Sequence, residues 1–501
     1  MQIERNKNYI ISLPVLAGIG FVLLCILFQT NNSTIDAYGF AADIKYGENI
    51  FRPHHLLYNA LGWVLYSVLK DIEPLVLMKT VNALFASGCL VALSAIMRLL
   101  KFDSKFVVAA LLVAASSFGL LRFATENEVY IIPLFLSLWG TYYFIKYHYH
   151  KKISFLICSS ILMSIAALFH QMHVIWLLVT AVTYFIGSRR NGIIYSLISV
   201  IIIATTYFSV IRYYNNESLS FESVTRFVLY DYYTGEATSS IGFNNLFLTG
   251  VNFIRSFIQI HGNIYYLVKT NLIYVLPIII SLVLVFIQIK KYVRRKVDTA
   301  ATVKPNYTVI KNYILSVFIA QLLFAFYAQG NAEFMVMLPF LLVIYLGFVL
   351  GKYQIYFSYL GMAIFVWNLA FGLIPQKYYD LQNKEYLMNH YNPKDIYILS
   401  QANLYKNMFY YTNHDNCENI YKTPSDYKSK NQDYIFLDSL IKHSNKLILT
   451  DAIGNSNTGT RQAFVSNDFD LRFFHQYTLT PFYTQTNSLN NYQITEVKNG
   501  K

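Results

Sequence analysis

The feature that most constrains this fold is a series of apolar segments close to membrane-spanning length. A helix needs about 20 mostly apolar residues to cross the hydrocarbon core of a bilayer. Charged residues make up only 13% of the chain, against roughly a quarter in soluble proteins. The sequence therefore predicts an α-helical polytopic membrane protein with about 11 transmembrane helices. They are expected near 10–28, 75–97, 106–124, 129–147, 153–170, 173–188, 192–213, 270–289, 312–328, 333–351 and 355–374.

Basic residues predict the orientation of these helices. The segment 55–69 is apolar but short, which favours a re-entrant or interfacial helix over a crossing one. If it does not cross, most basic residues of the short loops fall on one side, which is then cytoplasmic. This places the N-terminus inside and the C-terminal tail outside. The net charge of +13 follows from this loop pattern, so we expect no nucleic-acid partner.

With this orientation, five polar clusters lie on the outer face. Ionisable groups held at a bilayer surface beside apolar walls predict a functional site. Most of these clusters sit at or near helix ends, where side chains from several loops can converge on one cavity. We name them the first polar segment (31–59), the second (125–128), the third (170–173), the long loop (214–269) and the last polar segment (329–333).

Carboxylates in these segments are candidates for acid–base chemistry. Transfer of a sugar from a lipid phosphate to a hydroxyl or amide needs a base for the acceptor proton. Asp36 directly follows the first helix and is the predicted base, with Asp43 in reserve or simply a surface residue. Glu128 is the predicted second acidic residue. Glu126 is a weaker candidate for contacting substrate, and either glutamate could instead be a first-turn residue favoured by the helix dipole.

Cations and hydrogen-bond donors are also needed for the phosphate that leaves. The substrate-binding candidates could equally contact lipid headgroups or pack at the interface. His173 is paired with His170 around a tight outer turn, and Asn331 and Glu333 are weaker candidates still. The candidates from the first polar segment, the third segment and the long loop are Arg52, His54, His55, His170, Gln171, Arg226 and Arg255.

The tail beyond residue 375 differs from the rest of the chain in its lower hydropathy. Stretches near 395–400, 401–411, 430–443 and 446–451 read as strand, helix, helix and strand. The sequence thus predicts two domains. Residues 1–375 form the transmembrane domain with outer loops 29–74 and 214–269, and residues 376–501 form a small extracytoplasmic α/β domain.

The motifs STIDAYGFAADIKYGENIFRPHHLLYN, ENEVYIIP and LFHQ, in that order, resemble the GT-C superfamily of integral-membrane glycosyltransferases. Within it they are similar to bacterial proteins related to protein O-mannosyltransferases. The resemblance covers residues 10–375 and implies a polyprenyl-phosphate-linked sugar donor, with Asp36 as base and Glu128 as the acid of the EVY motif. The paired acids usual after the first helix are reduced to Asp36 followed by Ala37. Metal dependence therefore stays open, with Mg²⁺ or Mn²⁺ as the candidate cofactor.

The resemblance further implies a multi-pass protein of the bacterial cytoplasmic membrane, with membrane lipid as a partner and the acceptor (lipid, glycan or protein) undefined. One alternative is an O-antigen-type polymerase or ligase, whose functional residues would centre on the long loop. A polytopic transporter without transferase activity would place charges in broken helices near the bilayer midplane. A non-catalytic assembly protein is the remaining alternative.

Overall fold

The computed structural model describes residues 16–500 with internal gaps at 235–241, 261–262, 294–306, 351–355, 383, 425–431, 454–470 and 487–490. It is mainly helical. The α-helices are α1 Leu16–Leu27, α2 Ile35–Tyr46, α3 Tyr58–Val68, α4 Pro74–Leu99, α5 Ser104–Ser116, α6 Phe118–Ala124, α7 Ile131–His150, α8 Ile153–Phe169, α9 Val174–Gly187, α10 Arg189–Ser209, α11 Phe221–Val228, α12 Tyr230–Thr234, α13 Phe243–Phe257, α14 Asn263–Thr270, α15 Val275–Val293, α16 Thr308–Tyr327, α17 Leu338–Leu350, α18 Ser358–Asn368, α19 Ile374–Tyr378, α20 Lys384–His390, α21 Ala402–Asn413 and α22 Gln432–His443.

Six helical segments in the described part of the chain are long and apolar enough to cross a membrane. The expected count of about 11 is not confirmed. Three expected spans are apolar helices of only 10–17 residues in the described chain, near 16–27, 153–169 and 171–187. The six segments are Pro74–Leu99, Arg189–Tyr214, Leu272–Val293, Thr308–Tyr327, Ala332–Leu350 and Ser358–Tyr378.

The span expected at 106–124 is broken rather than straight. Helices α5 and α6 meet at Ser117 with a bend of 57°. Ser117 takes an extended conformation, and its backbone N–H and hydroxyl both donate to the carbonyl of Ala114. The serine thus closes the end of α5 and starts a new helix direction. The pair counts as a seventh span only if the bent helices cross together.

The short apolar segment after the first polar segment is a helix, as its length suggested. A 3₁₀ turn over Pro53–His55 leads into α3, which has 11 residues. At about 1.5 Å rise per residue this helix is far shorter than a bilayer core.

The C-terminal part contains a five-stranded sheet. Strands β1 Ile396–Leu399, β2 Ile420–Lys422 and β3 Ile448–Thr450 run parallel, in the order β2-β1-β3, and α21 and α22 follow β1 and β2. The hairpin β4 Tyr477–Thr486 and β5 Asn491–Asn499 continues the sheet through antiparallel pairing of β5 with β3. The predicted strands and helices of the tail lie where the sequence placed them. The three-residue β2 and the polar hairpin were not predicted.

The chain divides into two compact units. The first comprises Met1–Gln29, Tyr46–Gln259 and Pro277–Leu373. Its core is buried apolar side chains of α4 to α9, α16 and α17, including Met78, Leu93, Ile145 and Trp176. The second comprises Thr30–Lys45, Ile260–Leu276 and Ile374–Lys501, so the tail domain incorporates two segments from the first three-quarters of the chain.

Contacts within the second unit attach α2 to the tail. Asn407 Nδ2 donates to the carbonyl of Ile35 at 3.0 Å, and Lys45 Nζ donates to the carbonyl of Tyr411 at 3.3 Å. The Tyr38 and Tyr411 rings lie 6.1 Å apart. Residues of the first and last segments of this unit therefore pack as one body.

Candidate functional site

The polar segment between α6 and α7 is held in place by a buried asparagine of α4. Asn82 Nδ2 donates to the carbonyls of Glu126 and Glu128 at 2.8 and 2.7 Å. The same amide lies 3.2 Å from Tyr58 Oη, and that hydroxyl donates to Asn127 Oδ1 at 2.8 Å. Residues from α3 and α4 thus fix the backbone of the second polar segment.

The carboxylate of Glu126 lies in the interior between two cations. Lys79 Nζ is 3.8 Å from Oε1 and Arg122 Nη2 is 3.3 Å from Oε2. The backbone N–H of Asn127 also donates to Oε1, at 2.9 Å. Glu126 has no exposed surface and Lys79 only 4%. Taking charges out of water costs several kcal/mol per ion unless they are paired, and the contacts with Lys79 and Arg122 offset part of this cost for Glu126.

Glu128 is also buried, with 3% exposure, and its backbone is the part that Asn82 binds. Burial raises the pKa of Tyr58 well above its usual range, and the negative charges of Glu128 and Glu126 add to this effect. The Tyr58 hydroxyl therefore stays neutral and remains a donor. The two glutamates differ in that Glu126 is committed to local ion pairs, whereas Glu128 is held chiefly through its backbone in this network.

A second set of contacts joins the first polar segment to the third and to the long loop. His54 Nδ1 lies 3.0 Å from Gln171 Oε1, and His54 Nε2 lies 2.8 Å from Asp231 Oδ1. These contacts place the His54 ring between an amide oxygen and a carboxylate, and an ion pair with Asp231 forms when the imidazole is protonated. The amide of Gln171 is oriented by three further oxygens, since its Nε2 donates to the Pro53 carbonyl, Tyr207 Oη and the Val228 carbonyl.

Aromatic contacts extend the cluster to the last polar segment. The rings of His55 and His170 lie 4.5 Å apart at their centroids, and Tyr130 lies 5.2 Å from His170. Tyr130 Oη donates to Glu333 Oε2 at 2.7 Å, and Phe334 packs edge-on against His170. Within the first unit, side-chain contacts therefore link the first polar segment to the third segment and the long loop, and Tyr130 links His170 to Glu333 of the last segment.

The two neighbouring histidines, His55 and His170, are uncharged near neutral pH. Burial lowers the pKa of His55 to about 3, with His54 and Arg52 adding to the shift. Burial likewise lowers the pKa of His170 well below its usual value, and the neighbouring histidines add to this. His55 and His170 can therefore act only as hydrogen-bond donors and acceptors near neutral pH.

The predicted arginine clamps lie at the edge of this arrangement. Arg226 is about half exposed and pairs with Glu217 of the same loop at 2.7 Å. Arg255 is half-buried in the last turn of α13, and Arg52 is half-buried just before the 3₁₀ turn. These positions leave their role in phosphate binding as a prediction.

Asp36 and Asp43 belong to the second unit. Asp36 lies in the first turn of α2 and is exposed. Asp43 faces the interior of the same helix and is only 4% exposed. An exposed carboxylate stays ionised at neutral pH and is open to solvent and ligand.

Sequence reasoning overlooked several residues of the site. Lys79 and Asn82 lie inside an expected transmembrane helix, and the sequence gave no reason to separate them from its packing. Their spacing of three puts both on one helix face, which was an available signal. Tyr58 lies in the first polar segment and Asp231 in the long loop, but neither was singled out as a candidate.

Metal-ligand geometry is absent among the described residues, where no group of three or more His, Cys, Asp or Glu side chains is arranged to hold an ion.

No protein-family model matches the sequence, and no curated protein matches it significantly. The chain is similar to the crystal structure of ArnT from Cupriavidus metallidurans bound to undecaprenyl phosphate, at 10% identity over 97% of both chains with a TM-score of 0.45. The apo ArnT structure is similar at 11% identity over 98% of both chains, TM-score 0.42.

The oligosaccharyltransferase of Archaeoglobus fulgidus in complex with Zn and sulfate is similar at 12% identity, covering 86% of this chain and 68% of that one, with a TM-score of 0.41. TM-scores below 0.5 do not by themselves establish a shared fold. The side chains of the site therefore have to support any assignment of function.

Proposed function

We propose that this chain is a GT-C-type membrane glycosyltransferase that moves a sugar from a polyprenyl-phosphate-linked donor to a lipid, glycan or protein acceptor. The observation that carries the proposal is the set of contacts that links ionisable and hydrogen-bonding side chains of four separate polar segments, together with Tyr130 just after the second segment, at the ends of apolar helices. Such a cluster costs free energy to assemble, and its chemistry suits a phosphate bearing a sugar.

Each requirement of the reaction has a candidate group. The acceptor O–H or N–H gives its proton to a carboxylate, for which Asp36 is proposed because it is exposed and follows the first apolar segment. The sugar C1–O bond breaks, and its electron pair stays on the lipid phosphate. His54, with Arg52, is proposed to bind that phosphate, since both side chains can donate hydrogen bonds to it and the guanidinium can offset its charge.

The glutamates are proposed for different tasks. Glu128 is the candidate second acid, with its backbone anchored by Asn82. Glu126 is proposed to hold the loop in shape through Lys79 and Arg122. This favours Glu128 over Glu126 for contact with substrate.

The test of the base is Asp36→Asn in the purified full-length protein. The amide keeps the size of the side chain but cannot take a proton, so transfer should fall about 10²–10⁴-fold. Asp71→Asn, another exposed aspartate, is the matched control and should transfer normally. Near-normal transfer by Asp36→Asn would move the role to Asp43, and normal transfer by the double variant would remove α2 from the mechanism.

The proposed location is the bacterial cytoplasmic membrane, with the N-terminus inside and the tail outside. Reporter fusions after Lys105, Lys152 and Arg190 should give a cytoplasmic signal, and fusions in the tail an external one. External signals after Lys105, Lys152 and Arg190 together would mean that the segment 55–69 crosses. Lipid-linked sugars that accumulate when the protein is removed would identify the donor and separate this proposal from a polymerase, a ligase or a transporter.

A further inference from the structure

His170 carries a buried N–H group that has no acceptor among the residues that the structure describes. Its side chain caps the 3₁₀ turn Gln171–His173, because Nδ1 accepts the backbone N–H of Met172 at 3.2 Å. An imidazole nitrogen that accepts a hydrogen bond bears no proton, so the proton of the neutral ring lies on Nε2. The backbone of the third polar segment thereby fixes the tautomer.

The Nε2 atom itself is buried and makes no hydrogen bond to the described residues, and the residue is only 6% exposed. A buried donor without a partner costs about 1–3 kcal/mol, and such groups in a native fold call for a functional reason. The ring contacts around it are with side chains of His55, Tyr130 and Phe334.

The groups around the ring leave its N–H available. The titratable neighbours are His54 and His55 from the first polar segment, His173 of the same turn, Tyr130, and Glu333. The Glu333 carboxylate already accepts from Tyr130 at 2.7 Å and from the Asn331 amide at 3.3 Å. A second proton on His170 would break the Met172 contact, which keeps the ring a neutral donor.

We infer that His170 donates its Nε2–H to a phosphate oxygen of the lipid-linked donor and thereby orients the leaving group. The inference rests on the proposed function. When the sugar C1–O bond breaks, its electron pair stays on the phosphate, whose negative charge rises, so the hydrogen bond strengthens as the reaction proceeds. No proton leaves His170, because the acceptor proton goes to the carboxylate base.

The first experiment measures binding of the reaction product to the purified full-length protein. A polyprenyl phosphate should raise the unfolding temperature of the wild type, whereas the matching polyprenyl alcohol should not. His170→Ala should weaken phosphate binding about tenfold, the loss typical of one hydrogen bond to a charged group. His150→Ala, in the last turn of α7, is the control and should bind like the wild type.

Two further variants separate donation from capping. His170→Asn retains an oxygen for the Met172 N–H and an N–H for the phosphate, and should restore much of the binding and transfer. His170→Asp retains the oxygen but offers the phosphate no donor, so it should bind at least as weakly as His170→Ala. This pair also decides the matter if His170→Ala does not fold.

The dependence of transfer on pH distinguishes a fixed donor from a general acid. The pH–rate profiles of wild type and His170→Asn should have the same acidic and basic limbs between pH 5 and 8. Loss of one limb in His170→Asn would indicate proton transfer by His170 and overturn the inference. Equal phosphate binding by wild type, His170→Ala and His170→Asp, or equal binding of alcohol and phosphate by the wild type, would also overturn it. A wild type that binds no polyprenyl phosphate at all would instead count against the proposed function.

Discussion

Two buried carboxylates, one in each unit, are held in different ways. Glu126 lies between Lys79 and Arg122, and both charges of each pair are largely out of water. Asp451, at the end of β3, is 4% exposed and accepts two hydrogen bonds from Ser400, from its N–H at 2.7 Å and its hydroxyl at 3.0 Å. Burial raises the pKa of Asp451 to about 6, although those two hydrogen bonds act against the shift.

The difference shows what a cation adds to a buried carboxylate. Two neutral donors do not offset the burial of Asp451, so its charged form is less favoured than that of a carboxyl in water. Glu126 has charged partners, so its ionised form can contribute to loop structure. A carboxylate fixed by cations is suited to shape a site that binds anions, whereas Asp451 is suited to respond to pH.

The largest expected effect comes from removing one cation beside Glu126. Lys79→Met should lower the free energy of unfolding by about 3–5 kcal/mol, because it leaves a buried carboxylate with one cation fewer. Thermal unfolding in detergent at pH 7 measures this. Lys442→Met, which breaks an exposed i,i+4 pair with Asp438, should cost under about 0.5 kcal/mol. Similar losses for both variants would mean that the buried pair contributes no more than a surface pair.

The second prediction concerns Asp451 and pH. Its pKa is higher in the folded than in the unfolded state, so its contribution to stability is complete below about pH 4 and is lost as pH rises through about 6. The shift from 3.8 to about 6 corresponds to about 3 kcal/mol. Hydrogen exchange of β1 and β3 in the full-length protein, corrected for the intrinsic effect of pH, should show protection falling over this range.

Asp451→Asn is the matched variant for that measurement. It cannot ionise, so the protection of β1 and β3 should no longer depend on pH between 4 and 6. A pH dependence that persists in Asp451→Asn would assign the effect to another group.

The smallest expected effect tests the neutral part of the first network. Tyr58→Phe removes the hydroxyl that donates to Asn127, and should cost about 1 kcal/mol of unfolding free energy. Because the loop carrying Glu128 is then less well held, transfer should fall more than donor binding. Tyr66→Phe, in the same helix α3, is the control. Unchanged stability and transfer in Tyr58→Phe would show that Asn82 alone holds the loop.

Local patterns predicted much of this molecule, because helix ends, apolar runs and short strands depend on neighbouring residues. The strands around Ile396 and Ile448 and the helices of the tail follow directly from such patterns. The meeting of His54 with Asp231 depends on tertiary packing and has no signature at that spacing. The bend at Ser117 was likewise hidden inside an apolar run, because a single serine is common in straight helices.

Membership of the second unit was also beyond local reasoning. Asn32 Nδ2 donates to the carbonyls of Gln376 and Tyr379, and its Oδ1 accepts from Leu381 N–H. Asn32 and Tyr379 are more than 300 residues apart in the sequence, so no periodic pattern could predict their contact. The sequence showed only that the stretches around Asn32 and Gln376 are both polar.

These Asn32 contacts also set the order in which the protein can mature. A ribosome makes α2 early, but the residues that fasten it, from Gln376 to Tyr411, are made only in the last quarter of synthesis. Until then the helix carrying Asp36 and Asp43 lacks these neighbours. A nascent chain that stops before Gln376 would contain the apolar helices and the histidines His54, His55 and His170, but its α2 would not be anchored. The proposed base would therefore reach its final position only after synthesis of the tail.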